Sequence, residues 1–155
     1  MKRIALVVTC MLALADSVFA DTADDVVAWY RRYAELWNTT NVDVAAVAHY
    51  YAIPSYMVDS HGVVQLIPTA EAFRSTMAAY VDSSKHRGWA GGKVLTVKAH
   101  VLNPGAAFVE SEWTNFGTDG TPLIGCQVES FTYLAAKTTD GWKFLSSHDS
   151  PCKAR

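Results

Sequence analysis

The chain has 155 residues, half of them hydrophobic, with 13 Lys and Arg against 15 Asp and Glu and a formal net charge of −2. No polybasic run or basic stripe occurs in it, which excludes the electrostatic footprint of a protein that binds nucleic acid or an anionic membrane surface. It carries no internal repeat, low-complexity tract or internal domain boundary, so one globular domain is expected once the N-terminal segment is set aside.

That segment, MKRIALVVTCMLALADSVFA, opens on Lys2 and Arg3, continues as an apolar run from Ile4 to Ala15 and closes on small residues. Val18 and Ala20 occupy the two positions that a signal peptidase reads, which predicts a signal peptide over residues 1–20 with cleavage after Ala20. The run is too short to span a bilayer as a helix, and the residues before Cys10 suit lipidation poorly. The expected mature domain, residues 21–155, is exported to the periplasm or the medium. It keeps 11 basic and 14 acidic residues and two cysteines, Cys126 and Cys152. An even pair in an exported protein reads first as a disulfide.

Along the mature chain, Thr22-Ala23-Asp24-Asp25 resembles a capping box with carboxylates at the positive end of a helix dipole. Val26, Tyr30, Tyr33 and Trp37 then recur at helical spacing, widened by Trp29 and Leu36. NTTN ends that helix, and Asn41 is the expected cap of a shorter one through VDVAAVAHYY, which stops at Ile53-Pro54 because proline disfavours helical geometry in its predecessor. Two short strands, SYMV and VVQLI, flank the turn DSHG. A third helix opens at Pro68-Thr69 with Ala70, Phe73, Met77 and Tyr80 on one face, and SSKHRGWAGG reads as a polar, glycine-rich linker. Four antiparallel strands follow. KVLTVKAHVL alternates, with Leu95, Val97, Ala99 and Val101 on one side and Thr96, Lys98 and His100 on the other. The next strands are AAFVESEWTNF, PLIGCQVESFTYLAA and GWKFLSSHD, separated by the turns NPG, GTDG and TTDG. Helices segregated from an antiparallel sheet predict an α+β fold.

With this order, YAELWNTTNVDVAAVAHYYAIPSYMVDSHGVV and the closing DGWKFLSSHD resemble the nuclear transport factor 2-like superfamily, specifically its SnoaL-like branch, over nearly the whole mature chain. The resemblance implies a cone-shaped, bent antiparallel sheet closed by three N-terminal helices around a pocket for a small, partly apolar molecule. Enzymes of that superfamily differ in their acid–base sets, and none maps fully onto this chain. The mature arginines, Arg31, Arg32, Arg74, Arg87 and Arg155, lie outside the strands, which argues against an Asp-Arg-Asp centre.

Tyr33, Trp37, Tyr56, Trp113 and Phe131 are the expected ligand-binding residues, although each aromatic taken alone is more simply a core residue. The ionisable residues within or at the ends of the long strands, apart from lysines, are Glu110, Glu112, Glu129, His100, His148 and Asp149. Of these, Glu129 beside Phe131, and His148, are the candidate acid–base residues. Glu110 and Glu112 share a face opposite Val109 and Trp113 and read as solvated. No nucleophile elbow, phosphate loop or metal-ligand spacing among the five histidines is present, so no cofactor and no metal are expected. The first functional reading is an exported domain binding a small hydrophobic or amphipathic molecule. The second is an isomerase, dehydratase or cyclase using His148 with Tyr33, Tyr56 or Glu129. The third is an interaction protein forming a homodimer through its outer sheet face.

A hairpin turning at TTDG that pairs Lys137 with Trp142 brings Cys126 to within one residue of Cys152, close enough for neighbouring strands to supply the Cα separation that a bridge requires. A one-residue slip flips every side chain, however. The register that pairs the cysteines puts His148 opposite Ser130, on the face away from Glu129; the alternative sets His148 against Phe131 and beside Glu129. The disulfide is the favoured claim, because export promotes it and the tail after Pro151 can absorb the mismatch. Closing the loop is expected to stabilise the domain by about 3 kcal/mol. Thiol titration of the mature, unreduced and unfolded protein is expected to find no reactive thiol; two per chain would exclude the bridge.

Overall fold

The computed structural model describes residues 22–123 and 128–152. The signal-peptide reading and Cys126, with the bridge proposed for it, lie outside those residues. Helix α1 (residues 22–35) follows the predicted stripe, burying Val26, Trp29, Tyr30 and Tyr33. Helix α2 is short, Val44–Ala48. Its cap is Asp43 rather than Asn41, with Asp43 Oδ1 accepting from the backbone N–H of Ala45 at 2.9 Å and of Ala46 at 3.0 Å.

Strand β1 (Tyr51–Val58) begins earlier than expected and runs through Pro54, whose Ile53–Pro54 bond is cis. Strand β2 (Val64–Ile67) pairs with it. Helix α3 (Ala70–His86) is capped by Thr69 and buries Phe73 and Met77. It also absorbs SSKH, while WAGG opens strand β3 (Trp89–Asn103), so the expected linker does not exist. The two glycines there serve close approach: Gly92 N–H donates to the Trp37 carbonyl at 2.9 Å, and a Cβ on Gly91 would lie 2.5 Å from the Phe116 ring.

Strands β4 (Ala106–Gly117), β5 (Glu129–Thr138) and β6 (Gly141–Asp149) complete one six-stranded sheet in the order β2-β1-β6-β5-β4-β3. All neighbours are antiparallel except β1 and β6. The α+β expectation therefore holds, with the sheet mixed and open at β2 and β3. A bulge places Val94 opposite Trp113 and Thr96 opposite Glu112. Leu95 is the extra residue, and it is exposed instead of sharing the inner face with Val97.

The core lies between α1 and the inner face of the sheet. At its centre is Phe144, fully buried, with ring centroids 4.4 Å from Trp29 and from Tyr133, 4.9 Å from Tyr33 and 5.1 Å from Tyr51. Below it a polar knot is fully paired. The Tyr30 and Ser111 hydroxyls are 2.6 Å apart, and Trp113 Nε1–H donates to both, at 3.1 and 3.0 Å. Removing the Phe144 ring leaves a cavity that these large neighbours cannot close, so Phe144→Ala is expected to cost about 3–5 kcal/mol. Thermal or urea unfolding measures this, and a loss below about 1 kcal/mol would contradict the packing.

Candidate functional site

The register between β5 and β6 decides which side chains reach the inner face. From the turn inward, Thr138 pairs with Gly141, Lys137 with Trp142 and Ala135 with Phe144, as the hairpin argument expects. Leu134 then pairs with Ser146, so Leu145 is an extra residue on β6. Beyond this insertion every side chain changes face. Ser147 pairs with Tyr133 and Asp149 with Phe131, while His148 falls opposite Thr132 on the outer side.

The inner face, α1 and α3 enclose a cavity of about 240 Å³, just below the range of roughly 300–1,000 Å³ usual for small-molecule sites. Its walls are mainly rings: Tyr33, Trp37, Tyr51, Trp89, Trp113, Phe131 and Tyr133 line it, with Met57 and Met77 between them. One side is polar. Trp89 Nε1–H donates to Asn115 Oδ1 at 2.9 Å, and Asn115 Nδ2 donates to Glu129 Oε2 at 2.7 Å. An indole N–H can only donate, which fixes the Asn115 amide with its oxygen toward Trp89 and its N–H toward Glu129 Oε2. A second, more polar concavity of about 540 Å³ adjoins this wall and extends to Arg87 and Asp119. It is the larger of the two, but the aromatic lining makes the first the better ligand site.

Comparison with known proteins agrees with this architecture. Residues 23–152 match the family described as "NTF2-like protein (DUF6841)". The chain belongs to that family. The structure of an NTF2-like protein of unknown function from Shewanella oneidensis MR-1 is similar at 24% identity and a TM-score of 0.61, covering 82% of this chain and 97% of that one. An NTF2-like protein with a cystatin-like fold from Novosphingobium aromaticivorans is similar at 14% identity and a TM-score of 0.66, covering 90% and 86%. An uncharacterised protein with a cystatin-like fold from Caulobacter vibrioides is similar at 18% identity and a TM-score of 0.62, covering 82% and 87%. No curated protein matches the chain. At these identities the similarities establish the fold alone.

Within this NTF2-like domain, five of the expected site residues, Tyr33, Trp37, Trp113, Phe131 and Glu129, meet around the cavity. Two do not. His148 is exposed on the outer face, its Nε2 lying 3.1 Å from Ser146 Oγ, because the Leu145 insertion turns it outward. Tyr56 is half exposed, opposite Leu66 and Ser146, because alternation from the buried Tyr51 turns Ser55 and Met57 inward and Tyr56 outward. Glu110 is on the outer face as read, with its Oε2 3.1 Å from His100 Nε2. Cys152 Sγ lies 3.6 Å from the Val128 carbonyl, two positions from Cys126 in sequence. Among the described residues, no group of three or more His, Cys, Asp or Glu is arranged to hold a metal ion.

The residues that the sequence reading left out of the site include Trp89, Tyr133, Met57 and Asp59 and, on the polar side, Asp149 and Asn115. Asn115 follows Trp113 at strand spacing, so the alternation that marks Trp113 as inward also marks it. Asp149 depends on the bulge, which no residue type announces. Burial, then the charges of Glu129 and Asp59, push the Asp149 carboxyl up to about 6. The Tyr33, Tyr51 and Tyr133 hydroxyls are held well above their ordinary range by burial and remain protonated donors; those of Tyr33 and Tyr51 are 3.3 Å apart. Trp37 Nε1 is buried near the Tyr33 hydroxyl but has no acceptor in hydrogen-bonding geometry.

An Asp whose folded pKa is raised stabilises the fold fully only below its unfolded value near 3.8, and that stability is lost as pH rises through about 6. Two units correspond to roughly 2.7 kcal/mol, which partial solvent access reduces to about 1–2 kcal/mol. Asp149→Asn is therefore expected to be more stable than the parent at pH 8 and to lose that advantage below about pH 4. Melting temperatures across pH 4–8 check this; parallel pH profiles for parent and variant would refute it.

Proposed function

We propose that this domain binds a small, largely apolar molecule in the cavity between α1, α3 and the inner sheet face, and does so outside the cytoplasm after loss of residues 1–20. The observation that carries the reading is the wall itself. A space of about 240 Å³ is lined by eight aromatic side chains and offers polar groups on one side. Rings that served only to fill a core would close on one another, as those around Phe144 do. A buried indole N–H without an acceptor, on the lining residue Trp37, is also what a site waiting for a ligand atom leaves behind.

Native mass spectrometry of the protein purified from its own host tests the reading, with a small molecule expected to co-purify in substoichiometric to stoichiometric amount. Trp113→Ala and Phe131→Ala are expected to abolish its retention, whereas His148→Ala is expected to retain it unchanged, since His148 faces solvent. A mass spectrum showing bare protein under all loading conditions would remove the proposal.

A second reading has one specific observation in its favour. Asp149, with a carboxyl near 6, is matched to proton transfer near neutral pH, and protonated tyrosines stand across the cavity as donors for developing negative charge. This constellation suits an isomerase- or dehydratase-type step with Asp149 in the place that the sequence suggested for His148. Exchange of a carbon-bound proton of the co-purified molecule with deuterated solvent, abolished in Asp149→Asn, would establish it.

A further inference from the structure

We infer that the molecule held in the cavity is an elongated amphiphile, longer than the chamber, that enters apolar end first and leaves its polar head at a mouth between the β1–β2 turn and α3. The inference rests on the binding reading above and adds the shape and direction of the ligand. How exposure is distributed over the lining carries it. Tyr33, Tyr51, Met77, Trp113 and Tyr133 are buried and form the closed part of the chamber. Among the described residues, the lining side chains that are exposed are Asp59 and Val63 in the turn, Gln65 on β2 and Tyr80 on α3. The cavity therefore opens between that hairpin and that helix.

Two apolar side chains stand in solvent at this opening. Val63 is 62% exposed and Tyr80 43%, and both line the cavity. A single exposed apolar residue needs no explanation, but two on the rim of an apolar chamber are surface that an emerging chain would cover. Alternation along β2 sets the direction of Val63: Gln65 lines the cavity and Ile67 is buried, so Val63 continues their row, while Val64 and Leu66 face the other way. Its backbone is held by the turn, with Val63 N–H donating to Asp59 Oδ1 at 2.9 Å and Asp59 N–H to the Val63 carbonyl at 3.1 Å. The remaining rim residues, Asp59 and Gln65, are polar and suit a head group that stays in water.

The volume agrees. At about 240 Å³ the chamber is smaller than the roughly 300–1,000 Å³ that encloses a ligand of ordinary size, so part of such a ligand has to pass the rim. The adjoining concavity offers no route for an apolar chain. Trp89, Asn115 and Glu129 line both spaces and are joined to one another by hydrogen bonds, which a chain passing between them would break. Entry head first is disfavoured, because the closed part is walled by rings and its Tyr33 and Tyr51 hydroxyls already face each other at 3.3 Å. A polar head would lose its water there for little return.

A series of linear alcohols from n-butanol to n-decanol, titrated into the protein by calorimetry or by fluorescence of the tryptophans lining the cavity, tests the shape. Affinity is expected to rise about fourfold per methylene while the chamber fills, and to keep rising about twofold per methylene as the chain covers the half-exposed rim. Val63→Ser is expected to weaken n-decanol about threefold and to leave n-butanol unchanged. Val64→Ser, as exposed in the parent but facing away, is expected to change neither. An affinity that stops rising partway along the series would overturn the elongated ligand and leave the cavity reading standing. Equal weakening of n-decanol by Val63→Ser and Val64→Ser would also overturn it, by showing adsorption to the hairpin instead of passage over the rim. Failure of every alcohol to bind would count against both readings.

Discussion

One extra residue on one side of a hydrogen-bonded ladder sets the chemistry of this domain. Between Phe144 and Ser146, strand β6 carries Leu145 without a partner on β5. Because side chains alternate strictly along a strand, such an insertion cannot be absorbed locally; it transfers everything beyond it to the opposite face. Before the bulge, Trp142 and Phe144 point into the core and hold α1. After it, the same face would have received Ser146 and His148. It receives Ser147 and Asp149 instead, so that a further carboxylate joins Glu129 and Asp59 on the cavity lining.

This arrangement is tolerable only because the aromatic core has stabilisation to spare. Buried rings around Phe144, and the paired Tyr30–Ser111–Trp113 knot beneath it, fix the first half of β6 against α1. Asp149 sits on the second half, where burial opposes its ionisation. Sites that bind or react commonly depart in this way from the consistency seen in the rest of a fold, with the cost carried by the surrounding packing.

Helix α1, the α+β class and the inner positions of β4 and β5 were legible from the sequence, because each rests on a periodicity that many residues repeat. Val26, Tyr30 and Tyr33 mark one helical stripe, and Trp113 and Phe131 mark one sheet face. What was not legible follows from single-residue events. Leu95 left its predicted face through a bulge, and Pro54 lies within β1, which the sequence reading began only at Ser55. The WAGG glycines were read as a linker, although they allow the Trp37 turn and the Phe116 ring to approach β3. His148 lies beyond a bulge that reverses the alternation set by Phe144, and Tyr56 was assigned to the pocket as an aromatic although alternation from Tyr51 turns it outward. Hydrophobic patterning specifies which strands exist and which face is buried, but a bulge is encoded by the tertiary fit of both strands and leaves no mark in composition.

The same reasoning explains why Asp149, and not a histidine, suits this position. A histidine facing Glu129 and Asp59 would gain their attraction, become protonated and neutralise the wall. The cavity would then hold its own counter-ion and have no electrostatic preference for a ligand. An aspartate placed there does the opposite: burial first, then the charges of Glu129 and Asp59, oppose its ionisation.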